Sequence, residues 1–414
     1  MLVIYSEHIT NRLKYVTNFI FKDKNIAFKV TDSEIEFNRS NLIKINYSNK
    51  NLNANLSITP QGLLFENDVK SIYKVEFCDD IWLINGCDDV FSIIFYFLSR
   101  YEEYVLNERD EHDRFSSHSS FITKSGRLNK PNVDILVKQI FELLNIDYSP
   151  ILKRFNSIVT FDIDSAWAYK NKGFMRYLLS DAKDVLKGLY IKDKIKVRLN
   201  KKQDPFDTFS IIKKVGQSHQ VICFFLMGDW SKFDKNINWK NIEFNHLINE
   251  VSSYSQLGIH PSYKSYLKVA QIKKEIKRLS LVSGKKITKS RQHFLKLKLP
   301  NTYRQLIDLG ITEDYSMGFA DAYGFRAGTS FPFYFFDLLK DKQTDLSIFP
   351  ITYMDGTLNQ YLGLSVAESI KVVKQLKKEV KEVGGLFIPL WHNETIGDKG
   401  IWKGWLPVFE ANFE

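Results

Sequence analysis

The sequence is poor in cysteine, and none of its three cysteines lies in a paired motif. Cys78, Cys87 and Cys223 form no Cys-x-x-Cys spacing, and an odd number leaves one over. This pattern argues against a disulfide framework and against a zinc site made of thiolates. We therefore expect the protein to work in a reducing compartment.

Long uncharged apolar runs are lacking as well. Glu7, Arg12 and Lys14 interrupt the apolar pattern of the first twenty residues, which argues against a signal peptide. No later stretch stays free of charge for the length of a membrane span. These absences predict a cytoplasmic protein without a membrane-spanning segment.

Acidic residues are scarce in one segment of this basic chain, whose formal net charge is +10. The stretch from Lys268 to Lys298, termed the basic block, holds eleven Lys or Arg residues and one acid, Glu275. No aromatic residue stands between Lys268 and Arg291, whereas surfaces that bind single-stranded nucleic acid interleave aromatic residues with their cations. We therefore expect no nucleic-acid partner.

The apolar residues of the basic block recur at helical spacing. They are Val269, Ile272, Ile276 and Leu279, a pattern that favours a helix whose lysines lie in water. The alternative is electrostatic contact of this block with an acidic glycan or with the anionic surface of a membrane.

The length of 414 residues exceeds what one hydrophobic core usually serves, so two domains are expected. Residues 1–150 carry short apolar runs broken by Asn, Asp and Gly, with one helix predicted after Asp88 and Asp89. We interpret this part as a smaller α+β domain of unknown role. It shows no catalytic signature.

Residues 151–414 alternate strand-like runs with helical patterns. The runs lie at 158–163, 221–226, 257–260, 287–293, 348–351 and 386–391. Ser365 and Glu368 fit a capping box that starts the last long helix, and Gly384 fits its end. Such alternation is typical of a parallel α/β barrel, in which functional residues collect at the carboxyl ends of the strands.

Two acids, Asp162 and Asp164, end the first of these strands in the run Thr-Phe-Asp-Ile-Asp. Residues two apart on a strand project from the same face. Two buried carboxylates repel each other unless they share a cation or a proton. The pair therefore suits a site in which one carboxylate binds a divalent metal and the other acts as general base toward water. Two solvated acids at an exposed strand end are the alternative.

Three histidines stand at the ends of other predicted strands. His260 ends the run at 257–260, His293 comes two residues after Arg291, and His392 follows the last strand. If the strands form one barrel, the three histidines and Arg291 meet the two acids on its rim. A histidine at such a place is either a metal ligand or a loop residue bonded to backbone.

Glycine-rich and aromatic segments at 315–319, 324–329 and 333–337 suit a pocket in which sugar rings stack, and ordinary core packing is the alternative. Arg326 stands between Gly324 and Gly328. An arginine can pair with a catalytic carboxylate and orient it.

Over residues 155–395, the motifs from Asp162 to His392 and their order resemble the polysaccharide deacetylases of carbohydrate esterase family four. The resemblance implies an irregular (β/α)7 barrel that removes acyl groups from amino sugars. It implies Asp162 as catalytic base, Asp164 and His260 as metal ligands, and His392 as catalytic acid. Segments 99–104 and 324–329 resemble a bacterial subgroup with an additional N-terminal domain, which implies a role in surface-polysaccharide metabolism.

The sequence departs from the second motif of that family. Where the family has a second histidine, four residues after His260, this chain has Lys264. A lysine would have to lose its proton to bind a divalent cation, so we expect His293 to be the replacement ligand. The expected metal is zinc, with cobalt or nickel as alternatives.

The sequence therefore predicts a metal-dependent hydrolase whose partner is a glycan or amino-sugar substrate. Asp162 would take a proton from water, His392 would protonate the leaving amine, and Arg291 or Arg326 would keep Asp162 ionised. The alternative is a carbohydrate-binding or scaffold protein of a polysaccharide pathway that has lost hydrolysis.

Overall fold

A parallel sheet opens the chain in the computed structural model, which describes residues 1–69, 73–173, 176–178, 180–182 and 192–414. Its strands are β1 (Leu2–Tyr5), β2 (Phe28–Thr31), β3 (Ile43–Tyr47) and β4 (Leu56–Ile58), in the order β2-β1-β3-β4. All three pairings are parallel. Parallel strands need crossover connections, and the helix Asn11–Ile20 connects β1 to β2 while the helix Glu34–Arg39 connects β2 to β3.

This sheet corrects the α+β interpretation of residues 1–150, because its architecture is that of an α/β unit. The next two strands along the chain, β5 (Val75–Cys78) and β6 (Ile81–Ile84), form a separate antiparallel hairpin. The helix Asn11–Ile20 was not predicted from the sequence because polar residues are buried within its apolar stripe. Arg12 is fully buried and donates to the carbonyl oxygens of Leu63 and Asp68.

Further helices complete the N-terminal half. They span Val90–Ser99, Glu102–Val105, Phe121–Lys124, Asn132–Leu143 and Ser149–Leu152. Asp89 caps the first of these by accepting a hydrogen bond from the backbone N–H of Ser92, which confirms the helix start predicted there.

The C-terminal half is built on a second, larger sheet. Its strands are β7 (Asn156–Ile163), β8 (Gln220–Phe225), β9 (Gln256–Ile259), β10 (Lys289–Ser290), β11 (Glu313–Asp314), β12 (Phe333–Asp337), β13 (Lys342–Ile348), β14 (Tyr353–Met354), β15 (Leu386–Phe387) and β16 (Pro389–His392). The path runs β12-β13-β11-β10-β9-β8-β7-β16-β14, and β15 also pairs with β7. The pairings are parallel except for β12 with β13.

Helices separate most of these strands. They span Lys192–Arg198, Phe209–Gly216, Ile242–Val251, Val269–Ser283, Asn301–Asp308, Val366–Val383 and Leu406–Glu410. The capping box of Ser365 and Glu368 is present, and Gly384 ends that helix with a φ of 73°. Of the described helices, none is both long and apolar enough to cross a membrane.

The basic block forms the predicted helix, Val269–Ser283, with Ile272 and Leu279 buried. Its acid, Glu275, is buried too and accepts hydrogen bonds from the backbone N–H and the hydroxyl of Ser262. Glu275 thereby fixes the turn that follows His260.

The larger sheet curls on itself. The backbone N–H of Ile351, just before β14, donates to the carbonyl of Met317, which follows β11 on the other side of the sheet, at 3.0 Å. Side chains of Ile222, Tyr315, Ile351 and Leu390 meet in one apolar cluster. Within the described residues the strand pairing is not continuous around a barrel, so the architecture is a mixed α/β fold with a curled, mainly parallel sheet.

Two strand predictions in this half are wrong. The run 348–351 is not a strand, because Pro350 has no N–H to donate to a ladder, and β13 ends at Ile348. The run 287–293 keeps only β10, after which the chain turns sharply at Phe294 with a φ of 61°. Arg291 and His293 therefore lie in the loop after a strand and not on its face.

Candidate active site

The carboxyl end of β7 carries the two acids predicted there. Asp162 is 2% exposed and lies in register with His392 of β16. Asp164 comes directly after the strand. The parallel register of β7, β16 and β8 thus brings His392 to the acids, as the strand-end rule predicts.

Asp164, His260 and His293 form a group that could hold a metal ion. One ligand atom from each lies within 4.8 Å of the others. His260 Nε2 is 3.2 Å from Asp164 Oδ1, and His293 Nε2 is 3.3 Å from Asp164 Oδ2. The structure therefore brings together the three residues expected from the sequence as metal ligands.

Both histidines are oriented through their other ring nitrogen. His260 Nδ1 lies 2.6 Å from the carbonyl oxygen of Arg291, and since a carbonyl only accepts, Nδ1 carries the proton. His293 Nδ1 lies 3.1 Å from Oδ1 of Asp234, a fully buried acid. Each ring thus presents its Nε2 to Asp164, an orientation that is usual for metal-binding histidines.

Two atoms of this group lack a conventional partner. Asp164 Oδ1 and His260 Nε2 are buried and lie 3.2 Å apart, but within the described part of the chain neither makes a hydrogen bond of regular geometry. Buried polar atoms are rarely left in that state. Two imidazole nitrogens and one carboxylate oxygen are ligands that suit zinc and its first-row neighbours, so the residues present fit a divalent cation.

The charges around this group are strongly coupled. Burial by itself would raise the pKa of Asp164, but His293 and His260 hold that pKa well below its usual range. Burial opposes a charge on His293 too, yet Asp164 and Asp234 raise its pKa to about 9. In the absence of a metal, a proton on His293 therefore balances the Asp164 carboxylate.

Asp162 is held by Arg291 at the same rim. Arg291 Nη1 donates to Asp162 Oδ1 at 3.0 Å, and its Nη2 donates to the hydroxyl of Thr160. Asp162 Oδ2 faces the site, 3.6 Å from His260 Nε2. One oxygen of this carboxylate is thus anchored while the other is directed at the candidate metal ligands.

His392 is positioned by an acid that the sequence analysis missed. Its Nδ1 lies 2.8 Å from Asp355 Oδ1, and its backbone N–H donates to Asp355 Oδ2. Burial disfavours a charge on this ring, but Asp355, Asp164 and Asp162 hold the pKa of His392 well above its usual value. His392 Nε2 lies 3.9 Å from Asp164 Oδ2, so a protonated nitrogen faces the site.

Arg326 does not lie at this rim, which corrects its predicted role. Its Nε and Nη2 donate to the two oxygens of Glu103, at 2.9 and 2.6 Å, and its Nη1 donates to the carbonyl of Gly318. Arg100 contacts the same carboxylate, and all three side chains are at most 2% exposed. Arg326 thus joins the two halves of the chain, and Arg291 holds Asp162.

The site opens into a cavity of about 180 Å³. Its lining includes the five predicted residues Asp162, Asp164, His260, His293 and His392, together with Arg114, Glu394, Tyr361 and Trp402. Burial, with Asp164 and Asp355 nearby, raises the pKa of Glu394 to about 7 against the opposing effect of His392. Glu394 therefore titrates near neutral pH inside the cavity.

Three residues of the site were not predicted from the sequence, and only one of them stands at a position that a sequence rule marks. Asp355 follows β14, so the strand-end rule would have found it had that strand been placed correctly. Asp234 lies in a polar loop, and Arg114 lies in the N-terminal half, where no motif marks either residue. Their roles become visible only through contacts between distant parts of the chain.

The aromatic segments expected around the pocket pack elsewhere. Tyr315 stacks on Phe349 and contacts Phe224 inside the sheet. Phe336 of β12 packs on Tyr15 and Phe95 of the N-terminal half. The core-packing alternative therefore holds for these rings.

Comparison with known proteins gives one family match, over residues 2–149, to a family of unknown function, DUF7033. No curated protein matches the chain.

Among solved structures, the chain is similar to a probable polysaccharide deacetylase from Pseudomonas aeruginosa, with 11% identity, 64% of this chain and 85% of that chain covered, and a TM-score of 0.41. It is similar to the Puue allantoinase, with 10% identity, 63% and 84% covered, and a TM-score of 0.39. A polysaccharide deacetylase from Bacillus cereus has 12% identity, 62% and 86% covered, and a TM-score of 0.28. With TM-scores this low, the three likenesses assign no activity to this chain.

Proposed function

We propose that the protein is a metal-dependent hydrolase that removes N-acyl groups, with N-acetyl the first to test, from amino sugars in surface-polysaccharide metabolism. The observation that carries the proposal is the convergence of His260 Nε2 and His293 Nε2 on the Asp164 carboxylate, where Asp164 Oδ1 and His260 Nε2 are buried without a hydrogen bond of regular geometry. A divalent cation satisfies all three atoms at once, whereas a single proton satisfies one hydrogen bond.

The roles of the metal and its ligands follow from the donor set. Asp164, His260 and His293 would hold the cation, zinc first, with cobalt or nickel as alternatives. When bound, such a cation polarises an amide carbonyl and lowers the pKa of water. Lys264 is exposed, so His293 supplies the third ligand in its place.

Asp162 and His392 divide the proton transfers. Asp162, paired with Arg291 through Oδ1, accepts the proton of the attacking water through Oδ2, the oxygen that faces the site. His392, charged beside Asp355, donates its Nε2 proton to the leaving amine nitrogen as the carbon–nitrogen bond breaks. The products are a carboxylic acid and a free amino sugar, so atoms and charge balance.

The substrate class has two supports. The order of the motifs around Asp162, His260 and His392 resembles that of polysaccharide deacetylases. In addition, Tyr361 and Trp402 give the cavity aromatic walls beside its charged floor, and a mixed lining of this kind suits a sugar ring with polar edges.

The test uses the full chain with N-acetylglucosamine oligomers and measures acetate release and metal content together. We expect one metal per chain and metal-dependent release in the wild type, loss of release in Asp162→Asn, and wild-type behaviour in Asp345→Asn. Asp345 is the matched control because it is an exposed carboxylate outside the cavity lining. Acetate release that is unaffected by Asp162→Asn would contradict the proposed roles.

A chain that binds these oligomers but takes up no metal would support the alternative, a carbohydrate-binding or scaffold protein. In that case His260→Ala is expected to leave oligomer binding unchanged.

A further inference from the structure

We propose that the N-terminal domain completes the active site, through a loop that clamps the turn carrying the ligand His293. The loop is residues 109–115, termed the clamp loop. The inference rests on the proposed metal site and gives a function to the domain that matches a family of unknown function.

The turn that the loop grips has an unfavourable backbone. Phe294 has a φ of 61° and Leu295 a φ of 51°, so two successive residues with bulky side chains are left-handed. That region disfavours residues other than glycine and is occupied where surrounding contacts enforce it. The strained pair directly follows His293, so the turn sets where the imidazole points.

Arg114 provides the polar half of the clamp. Its Nη1 donates to the carbonyl oxygen of Phe294 at 3.0 Å, while its Nε donates to Asp110 Oδ2 at 2.7 Å. Asp110 Oδ1 in turn accepts from the backbone N–H groups of His112 and Arg114. The guanidinium is thus fixed from within its own loop before it reaches the turn, and its side chain is 9% exposed.

His112 provides the aromatic half. Its ring lies edge-on to Phe294 at 5.0 Å between centroids, and its Nδ1 is 3.2 Å from the hydroxyl of Tyr263. Tyr263 belongs to the turn after His260, the neighbouring candidate ligand. The clamp loop therefore contacts the segments that follow both histidines.

A second anchor keeps the clamp loop on the C-terminal half. Asp113 accepts a hydrogen bond from the hydroxyl of Tyr266 at 3.0 Å, and Lys298 pairs with the same carboxylate at 3.4 Å. These contacts come from the segments that follow His260 and His293. Without the loop, the turn can relax out of its left-handed conformation and carry His293 away from Asp164.

The clamp loop contacts the turn of His293, the residue that we expect to replace the second histidine of the deacetylase motif. The family places its second histidine on the short turn after His260, where this chain has Lys264. His293 follows another strand, where Asp234 holds its ring and the clamp loop adds contacts from the N-terminal half. Arg114 is thus a positioning residue, because it acts on the candidate ligand through the Phe294 carbonyl.

The experiment compares Arg114→Met with Arg154→Met in the full chain. Arg154 donates to the carbonyls of Asp23 and Lys24 in the N-terminal half, but it lies outside the cavity lining. Zinc affinity is measured by titration calorimetry of metal-free protein, and hydrogen exchange is followed over residues 290–298. We expect Arg114→Met to weaken zinc binding about 10–100-fold and to speed exchange in this segment, with no change in Arg154→Met.

The outcomes separate the inference from the proposed function. Arg114→Met with wild-type zinc affinity and wild-type exchange overturns the clamp. A wild type that binds no zinc overturns the metal site, and the exchange rates then decide on the clamp alone. If Arg114→Met does not fold, His112→Ala replaces it, since it removes one ring from Phe294 and leaves the Arg114 contacts intact; unchanged affinity and exchange in His112→Ala would equally overturn the proposal.

Discussion

Arg291 and Asp162 form a buried ion pair in which Nη1 of the arginine donates to Oδ1 of the acid at 3.0 Å. Arg291 is fully buried and also donates to Thr160 and to the carbonyl of Tyr315. The pair anchors Asp162 Oδ1 in the cavity lining and leaves Asp162 Oδ2 facing the candidate metal ligands. In the proposed mechanism Asp162 is therefore the base, and Asp164 is a metal ligand.

Replacing Asp162 by Asn should abolish most turnover and spare the metal. Loss of a general base typically costs about 10²–10⁴-fold in rate. The amide is close in shape to the carboxylate and Asp162 is not one of the three candidate ligands, so zinc stoichiometry should stay near one per chain. Steady-state kinetics and elemental analysis on the same sample check this. A variant that loses its metal along with its activity would instead make Asp162 a ligand.

The two candidates for the third ligand can be compared directly. His293→Ala should weaken zinc binding strongly, because the ring lies 3.3 Å from Asp164 and is anchored by Asp234. Lys264→Ala should leave zinc affinity unchanged, because the Lys264 side chain is exposed. Titration calorimetry of both metal-free variants gives the answer, and the opposite ranking would refute the replacement of the motif histidine by His293.

Metal binding should release a proton from His293. The pKa of His293 in the metal-free fold, opposed by burial but raised by Asp164 and Asp234, is about 9. Below pH 9 the proton has to leave before Nε2 can bind a cation, so zinc affinity should rise about tenfold per pH unit and level off above pH 9. Calorimetry at about pH 7 in buffers of different ionisation enthalpy counts the protons. Binding without proton release would contradict this assignment.

The raised pKa of His293 also makes the stability of the metal-free protein depend on pH. A histidine whose pKa is raised on folding stabilises the metal-free protein fully below the unfolded value of about 6.5, and that contribution is lost as pH rises through 9. Metal-free protein should therefore lose stability between pH 6.5 and 9, and zinc should reverse the loss. Denaturant unfolding at several pH values, with and without zinc, measures both effects.

Arg326→Met should act on stability and not on the site. The variant removes the ion pair of Arg326 with Glu103, so that Arg100 alone of these two arginines remains in contact with Glu102 and Glu103. Breaking a buried ion pair costs about 3–5 kcal/mol of folding stability. Denaturant unfolding measures the loss, and zinc affinity of the folded variant should match the wild type. A shift in the acid limb of the pH–rate profile of this variant would contradict this expectation. It would mean that Arg326, and not Arg291, acts on the base Asp162.

Much of the site could be predicted from sequence because its residues obey a local rule. Asp162, His260 and His392 stand at the ends of strands whose central residues are buried, so pattern and position agree. His293 was found by the same rule although its strand is only two residues long. The capping box of Ser365 and Glu368 is equally local, and its prediction is confirmed.

The remaining features depend on contacts that no local pattern encodes. Arg326 looked like a catalytic arginine from its glycine neighbours, but its partner Glu103 is more than two hundred residues away in sequence. The helix Asn11–Ile20 was not predicted, because the buried Arg12 interrupts the apolar stripe by which a helix is recognised in sequence. No sequence motif marked Arg114, since it reaches the site through the Phe294 carbonyl of the other half.

The most direct test is a crystal structure of the full chain grown with zinc, with anomalous diffraction recorded on both sides of the zinc absorption edge. We predict one strong anomalous peak within coordination distance of Asp164, His260 Nε2 and His293 Nε2, with Asp162 and Lys264 outside the coordination sphere. A site without a peak, or a peak bound by Asp162 in place of His293, would contradict the metal assignment.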